Sequence, residues 1–112
     1  MRLIRHPLVQ HDLLALVDHI VETTQGDFAA AARRLDEIDA LLAAIAGNPL
    51  SGMRLSPPLE GWLVRHGGRG HRITIVFKPS PDHSALYVAL VAFGAQDWIA
   101  EGSARRSFIE AV

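Results

Sequence analysis

The chain has 112 residues, of which 49% are hydrophobic and 21% are charged, and its formal net charge is -1 at pH 7; this composition predicts that residues 1–112 form a single compact domain and not a disordered chain. The absence of cysteine excludes disulfides, thiolate metal sites and thiol nucleophiles, and it favours a reducing, cytoplasmic location. The sequence contains no signal-peptide pattern and no apolar run long enough to span a bilayer, so we expect neither export nor membrane insertion.

The first half of the chain predicts one strand followed by two helices. The residues MRLIR favour a short first strand, and the proline that follows suits the first turn of a helix. Apolar residues at helical spacing predict that this helix runs from Leu8 to about Thr24, before the turn TTQGD. Asp27 is a suitable N-cap for a second helix, which should end at Gly47. The apolar stripe of this second helix comprises Phe28, Ala31, Leu35, Ile38, Leu42 and Ile45.

The second half predicts a three-stranded meander and a short terminal helix. The strands are the β-rich runs GWLVRH, HRITIVFK and ALYVALVAFG. The last run is apolar at both parities, as expected for a strand with neighbours on both sides and with both faces covered. The tail GSARRSFIEAV predicts a helix whose apolar face is Phe108, Ile109 and Val112. The fold class is therefore α+β: an N-terminal strand and a two-helix hairpin packed on one face of a mostly antiparallel sheet, in the order βααβββ plus a short C-terminal helix.

The turn RHGGRGHR could bind a phosphate or connect a hairpin. A phosphate-binding loop needs its glycines between a strand and the N-terminus of a helix, so that helix amides face the anion. Here a strand follows the glycines, so the sequence favours a hairpin. In that interpretation Gly67, Gly68 and Gly70 supply the positive φ angles of a tight turn.

The hairpin interpretation also predicts a register. A two- or four-residue loop centred on Gly68 and Arg69 places Arg65 opposite Arg72. The other predicted pairs are His66 with His71, Val64 with Ile73, and Trp62 with Ile75, so that Trp62, Val64, Ile73, Ile75 and Phe77 face the helices.

Like charges directly opposite each other destabilise a sheet, so we expect an anion between Arg65 and Arg72. Two sources remain open. The anion is either a carboxylate of the same chain, from Glu60, Asp97 or Glu101, or an external phosphate or acidic partner segment.

Positive charge is concentrated in residues 54–78, where Glu60 is the only acid. An anionic partner should therefore meet this segment. Its basic residues are Arg54, Arg65, Arg69, Arg72 and Lys78.

His66 and His71 beside the turn have two interpretations. They are either exposed turn residues, which is the favoured interpretation, or an acid and a base that work near neutral pH. Without a nearby carboxylate or cysteine they form a poor metal site, so the sequence predicts no metal and no cofactor.

Three segments together carry a family resemblance: IAGNPLSG, LEGWLVRHGGRGHRITIVF and ALYVALVAFGAQDWIAE. In their order they resemble the ParE/RelE superfamily of toxins from type II toxin-antitoxin (plasmid stabilization) modules, over about residues 3–101. The ParE branch is the more similar one. Its characteristic positions match Pro49 and Gly52 after the second helix, Arg65 and Arg72 on the strands, and Gly94, Gln96, Asp97 and Trp98 in a late GGQD(Y)-like element.

The resemblance implies the fold described above and a cognate antitoxin that wraps the toxin. It also implies assembly as a homodimer or as a toxin-antitoxin heterotetramer. A ParE-like member would inhibit growth by acting on DNA gyrase without being an enzyme. The residues implied in partner or anion binding are Arg54, Arg65, Arg69, Arg72, Gln96 and Trp98, with the C-terminal helix as a docking element.

The RelE branch implies a different activity, ribosome-dependent cleavage of mRNA. In that case arginines would stabilise the charge on the phosphate, and a histidine would act as acid or base; the residues are Arg54, Arg65, Arg72, His66 and His71. Many RelE-like sequences carry an arginine after the last strand, where this chain carries Gln96. A third interpretation is a homologue that keeps antitoxin binding without toxicity.

Overall fold

The computed structural model describes residues 1–94 and 96–110, with residues 106–110 described by their backbone alone. The elements in chain order are β1 (Arg2–Arg5), α1 (Val9–Thr23), α2 (Phe28–Gly47), β2 (Met53–Arg54), β3 (Leu63–Gly67), a 3-10 turn (Arg69–His71), β4 (Ile73–Pro79), β5 (Ala85–Phe93) and α3 (Trp98–Glu110). The sheet order is β1-β5-β4-β3-β2, with β1 parallel to β5 and the other pairs antiparallel. The predicted α+β fold is confirmed, and the short edge strand β2 is an addition to it.

Helix α2 begins as predicted, because the Asp27 carboxylate accepts a hydrogen bond from the backbone N–H of Ala30 at 2.9 Å. From Ala31 onwards the predicted apolar stripe packs into the core, with Ala31, Ile38, Leu42 and Ile45 buried and Leu35 partly buried. Phe28 is the exception, since 69% of its surface is exposed. Side chains in a helix tilt toward its N-terminus, so Phe28 projects over the exposed turn that precedes α2 and not into the core.

Apolar side chains are buried on both faces of the sheet, as the apolar run of β5 predicted, and helices lie on both faces, whereas the predicted layer of helices lay on one. Helices α1 and α2 cover the first face, with Ile73, Ile75 and Phe77 of β4 beneath them. The second cluster comprises Leu59, Trp62, Val64, Val76, Ala89, Leu90 and Ala92. Helix α3 lies against this cluster: it starts earlier than predicted, at Trp98, and a Cβ added to Gly102 would lie 3.3 Å from Leu59 Cδ1. The predicted apolar side chains of Phe108, Ile109 and Val112 lie outside the described residues.

The predicted register of the β3–β4 hairpin is wrong. Arg65 lies opposite Ile75, His66 opposite Thr74, and Gly67 opposite Ile73, so the loop spans residues 68–72. This loop has an odd number of residues, whereas a loop of two or four was expected. Changing the loop from even to odd shifts the pairing by one residue, so the side chains of one strand point to the opposite face relative to the other strand. Trp62 and Val64 therefore face α3, away from the face where Ile73, Ile75 and Phe77 lie.

Gly68 and Gly70 have φ angles of 73° and 68°, which confirms their predicted role in the turn. Gly67 does not share that role, because it belongs to β3 and its φ is not positive. Its lack of a side chain serves packing instead, since a Cβ at this position would lie 3.0 Å from Leu41 Cδ1 on α2.

The hydrogen-bond partners along the outer edge of β5 change at a bulge. Strand β1 pairs only with residues 85–88, and Ala89 is skipped in the pairing with β4, which joins Val76 to Leu90 and Phe77 to Val88. Beyond the bulge, Asp12 of α1 accepts a hydrogen bond from Val91 N at 3.1 Å. Arg105 of α3 donates to Ala89 O at 3.1 Å. The two side chains also form a buried bidentate ion pair with N–O distances of 2.6 and 2.8 Å, which joins helices from opposite faces of the sheet.

Candidate functional site

The two arginines that flank the turn are separated in the structure. Arg65 Nη1 donates to Ser51 Oγ at 3.0 Å, beside the end of α2. Arg72 lies over the ring of Phe93, with Cζ 4.8 Å from the ring centroid. Because β4 lies between β3 and β5, the strands that carry these contacts are about 10 Å apart. The prediction of one anion between Arg65 and Arg72 is therefore wrong.

Two of the three predicted internal counter-ions have other contacts. Asp97 accepts from Ala100 N at 3.3 Å, within the first turn of α3, and Glu101 Oε1 lies 3.5 Å from Gln96 Nε2. Among residues 1–94 and 96–105, no carboxylate oxygen lies within 4.0 Å of Arg65 or Arg72. Neither guanidinium group is therefore neutralised by a carboxylate of the described side chains.

Two adjoining hollows share His19, Arg72 and Phe93, and we call them together the Arg72 cleft. The larger hollow has a volume of about 540 Å³ and is also lined by Leu16 and Gln96. The smaller one, about 290 Å³, is also lined by arginines of the 3-10 turn and of α2, which are Arg69, Arg33 and Arg34. His19 approaches Phe93 edge-on, with 6.1 Å between ring centroids. Of the predicted binding residues, the cleft brings together Arg69, Arg72 and Gln96.

Gln96 also has a structural role that the sequence did not indicate. Its Oε1 accepts a hydrogen bond from Phe93 N at 2.8 Å and so satisfies the last amide of β5 on its outer edge. The Arg72 cleft ends at this contact, because Phe93 and Gly94 form its wall.

The other predicted binding residues lie elsewhere. Trp98 packs on the α3 face and meets the ring of His66 edge-on at 6.0 Å, while His66 Nδ1 lies 2.9 Å from Thr74 Oγ1. His71 is exposed in the 3-10 turn with φ 55°. The predicted opposition of His66 and His71 is therefore wrong.

Arg54 lines a separate cleft of about 320 Å³ at the opposite edge of the sheet. Lys78 lines the same cleft, with Nζ 5.7 Å from the centroid of the Trp62 ring. Two large apolar side chains are exposed near it, Leu50 at 63% and Met53 at 64%. Strand β2 thus combines a cation with exposed apolar surface at the end of the sheet.

Among the described side chains, two groups have clearly perturbed pKa values: His6, just after β1, and Asp82, in the turn between β4 and β5. Burial, followed by the positive charge of Arg105, lowers the pKa of His6. Hydrogen bonds from the side chain and the backbone N–H of Ser84, and then from Ser80 Oγ, lower the pKa of Asp82 to about 2. Both shifts have structural causes, and neither marks a catalytic group.

The sequence did not single out Asp12, Arg105, His19 or Phe93. Asp12 had a usable signal, because it lies on the apolar stripe of α1 between Val9 and Leu16. Its partner Arg105 is 93 residues away and had no comparable signal. His19 and Phe93 reach the Arg72 cleft from α1 and β5, so only the tertiary structure places them there.

The described residues have the α+β fold that the sequence resemblance implied. A chain in the crystal structure of the toxin-antitoxin complex RelBE2 from Mycobacterium tuberculosis is structurally similar, with a TM-score of 0.56 and 14% sequence identity. The match covers 82% of this chain and 95% of that chain. No protein-family model and no curated protein matches the sequence.

Two further features of the described part of the chain bear on function. It contains no cluster of three or more histidine and carboxylate side chains that could hold a metal ion. None of its helices is both long enough and apolar enough to cross a membrane.

Proposed function

We propose that this protein is the toxin component of a type II toxin-antitoxin (plasmid stabilization) module, a ParE-like growth inhibitor neutralised in the cytoplasm by a cognate antitoxin. The observation that carries the proposal is the RelE-like fold over 82% of the chain, together with the order of its ParE-like motifs. DNA gyrase is the proposed target, as the resemblance to the ParE branch implies.

The arrangement of the polar residues supports a non-enzymatic inhibitor over a ribonuclease. Cleavage of RNA needs an acid or base and stabilising cations around one phosphate. Here His66 contacts Thr74 and Trp98 on the α3 face, whereas Arg72 lies over Phe93 beside α1. The groups named for cleavage therefore do not converge.

For antitoxin binding we propose the edge of the sheet at β2. Arg54 and Lys78 supply positive charge beside the exposed side chains of Leu50 and Met53, which suits an acidic segment with apolar anchors. Strand β2 has only two residues and pairs only with β3, so an extended segment can add to its outer edge.

The first test is induced expression in bacteria with and without the gene for the antitoxin, which should lie beside that of the toxin. We expect growth arrest without the antitoxin, rescue with it, and inhibition of supercoiling by purified gyrase. Unchanged growth together with unchanged supercoiling would contradict the ParE-like proposal. Co-purification with the antitoxin but no growth defect would instead favour the non-toxic homologue.

The binding surface is tested by charge reversal. Arg54→Glu should weaken capture of the antitoxin at least about tenfold, because it places like charges together. Arg2→Glu, an exposed change at the opposite edge of the sheet, is the matched control and should bind normally. Equal losses in both variants would exclude a specific role for the β2 edge.

RelE-like mRNA cleavage is the second candidate, which the likeness to RelBE2 favours. It predicts cleavage of mRNA in a translation extract, diminished in Arg65→Ala or Arg72→Ala. Intact mRNA with the wild-type protein would exclude it.

A further inference from the structure

The Arg72 cleft carries positive charge that the fold does not neutralise. Two of its arginines are paired with carboxylates: Arg33 with Asp27 at 4.0 Å and Arg34 with Glu37 at 2.9 Å. By contrast, no carboxylate oxygen of the described side chains lies within 4.0 Å of Arg69 or Arg72. The cleft therefore has an excess of cations that face solvent.

The guanidinium of Arg72 is held in position without such a partner. It stacks on Phe93 with Cζ 4.8 Å from the ring centroid. It also lies against Gly94, since a Cβ added there would be 3.4 Å from Arg72 Nη2. Stacking leaves the N–H groups at the edge of the guanidinium free to donate, and a fork of this kind suits bidentate binding of a phosphate.

The cleft also has an apolar wall next to the arginines. Ala15, Leu16 and Phe93 line the larger hollow beside His19 and Arg72. Its volume of about 540 Å³ is in the range of small-molecule sites, roughly 300–1,000 Å³. A ligand with an anionic end and a flat organic body matches this combination of surfaces.

We propose that the Arg72 cleft binds a phosphate monoester, with the phosphate at Arg72 and Arg69 and the organic part against Leu16 and Phe93. A nucleoside 5'-phosphate has this chemistry, either as a free mononucleotide or as the phosphorylated end of an oligonucleotide. The site goes beyond the proposed toxin function and does not rest on it. It lies beside α1, whereas the proposed antitoxin surface is at β2 and His66 is on the α3 face.

Isothermal titration calorimetry at low salt tests the site, with adenosine 5'-monophosphate, inorganic phosphate and adenosine as probes. We expect the monophosphate to bind most tightly, inorganic phosphate more weakly, and adenosine not detectably. Arg72→Gln should weaken binding about 10- to 100-fold, as expected for loss of a charge-assisted contact. Arg72→Lys should bind the monophosphate with an affinity between those of wild type and Arg72→Gln, because lysine keeps the positive charge but cannot make a bidentate contact.

Arg2→Gln is the control, because Arg2 pairs with Ala85 at the far end of β5 from Phe93. It should bind the monophosphate within twofold of wild type. Thermal melts verify that each variant is folded, and Arg69→Gln provides a second loss of charge in an exposed turn where folding should not suffer.

A short oligonucleotide with and without a 5'-phosphate distinguishes the two sources of the ligand. Binding of the phosphorylated oligonucleotide alone supports the proposal with the strand end as ligand, and binding of the free monophosphate supports it with a mononucleotide. Three results would each overturn the proposal. They are adenosine binding as tightly as its monophosphate, equal losses of affinity in Arg2→Gln and Arg72→Gln, and no binding of any phosphate. Growth arrest and antitoxin capture are separate measurements, so this failure would leave the toxin proposal standing.

Discussion

The outer edge of β5 is closed in two different ways along its length. Over residues 85–88 it hydrogen-bonds to the backbone of β1, ending with His6 N to Val88 O at 2.8 Å. Over residues 89–93 its described partners are side chains: Arg105 at Ala89 O, Asp12 at Val91 N and Gln96 at Phe93 N. The first half is therefore an ordinary parallel pair, and the second half is a strand edge capped by groups from three separate segments.

This difference determines what each half depends on. Backbone pairing tolerates many side chains, because every residue except proline carries the same donor and acceptor. Side-chain capping depends on individual residues, and it also blocks the edge against addition of another strand. In exchange it joins α1 to α3 through the Asp12–Arg105 pair, across the end of the sheet. Substitutions in the capped half should therefore have larger and more specific effects.

The largest effect is expected from Asp12→Ala. It leaves Arg105 as a buried charge without its ion-pair partner and also removes the acceptor of Val91 N. Loss of one partner of a buried pair typically lowers the free energy of unfolding by about 3–5 kcal/mol. Urea denaturation measures this loss of free energy of unfolding. The control is Asp18→Ala, an exposed change on the same helix, which should stay within about 0.5 kcal/mol of wild type.

A double variant sharpens this prediction. Asp12→Leu with Arg105→Met removes both charges, so it should be less destabilised than Asp12→Ala. It should not regain full stability, because Ala89 O and Val91 N would lose their partners. Equal instability of the single and double variants would show that the ion pair itself contributes little beyond the backbone caps.

In the backbone-paired half, Leu3→Ala should have the next largest effect. Leu3 is half-buried on β1 and packs against the core under α1 and α2. Removing it should lower the free energy of unfolding by about 2 kcal/mol, at the low end for a core leucine because burial is incomplete. Arg2→Ala, an exposed change on the same strand, should have almost no effect. A large loss from Arg2→Ala would mean that β1 depends on its side chains more than the comparison allows.

The two halves of this edge also differ in how far sequence alone could predict them. The both-parity apolar run predicted a strand with both faces covered, and MRLIR predicted a strand near the chain start; both predictions are confirmed. The cap could not be predicted in the same way. It joins Asp12 to a residue 93 positions away, and hydrophobic periodicity has no information at that separation.

The candidate site shows the same limit. The glycines indicated a hairpin, but they did not distinguish a loop of five residues with a 3-10 turn from a loop of two or four, and the parity of the loop decides which face each side chain takes. The segment that holds the cations was predictable from composition. The contacts of Phe93 with Arg72 and with His19 were not, because they join distant elements.

A smaller effect is expected from Gln96→Ala, which removes one neutral hydrogen bond at the end of the capped half. The free energy of unfolding should fall by about 1 kcal/mol. Hydrogen exchange of the Phe93 amide should accelerate as well, because this amide would lose its acceptor. Gln10→Ala, an exposed change on α1, is the control. If Phe93 exchanges at the wild-type rate in Gln96→Ala, the cap does not protect this end of the strand.

His6 stands where the backbone-paired half ends, and the smallest effect is a pH dependence at this junction. Burial and the charge of Arg105 lower the pKa of His6 below 6.5, while Asp12 opposes the shift. The unfolded chain therefore takes up this proton more readily than the folded one, so the stabilisation is complete above pH 6.5 and is lost as pH falls through the folded pKa. Protonation of Nδ1 would also remove the acceptor of Leu8 N, now at 3.0 Å.

Urea denaturation between pH 5 and pH 7 should therefore show the free energy of unfolding rising with pH in wild type, with a smaller slope in His6→Gln. His11→Gln, an exposed change on α1, should keep the wild-type slope. The NMR titration of the His6 ring should report a pKa below 6.5, which should move upward in Arg105→Met because the nearby positive charge is gone. If the pKa of His6 is the same with and without Arg105, the charge of Arg105 in the capped half does not act on His6 in the backbone-paired half. The two halves of the β5 edge would then be independent.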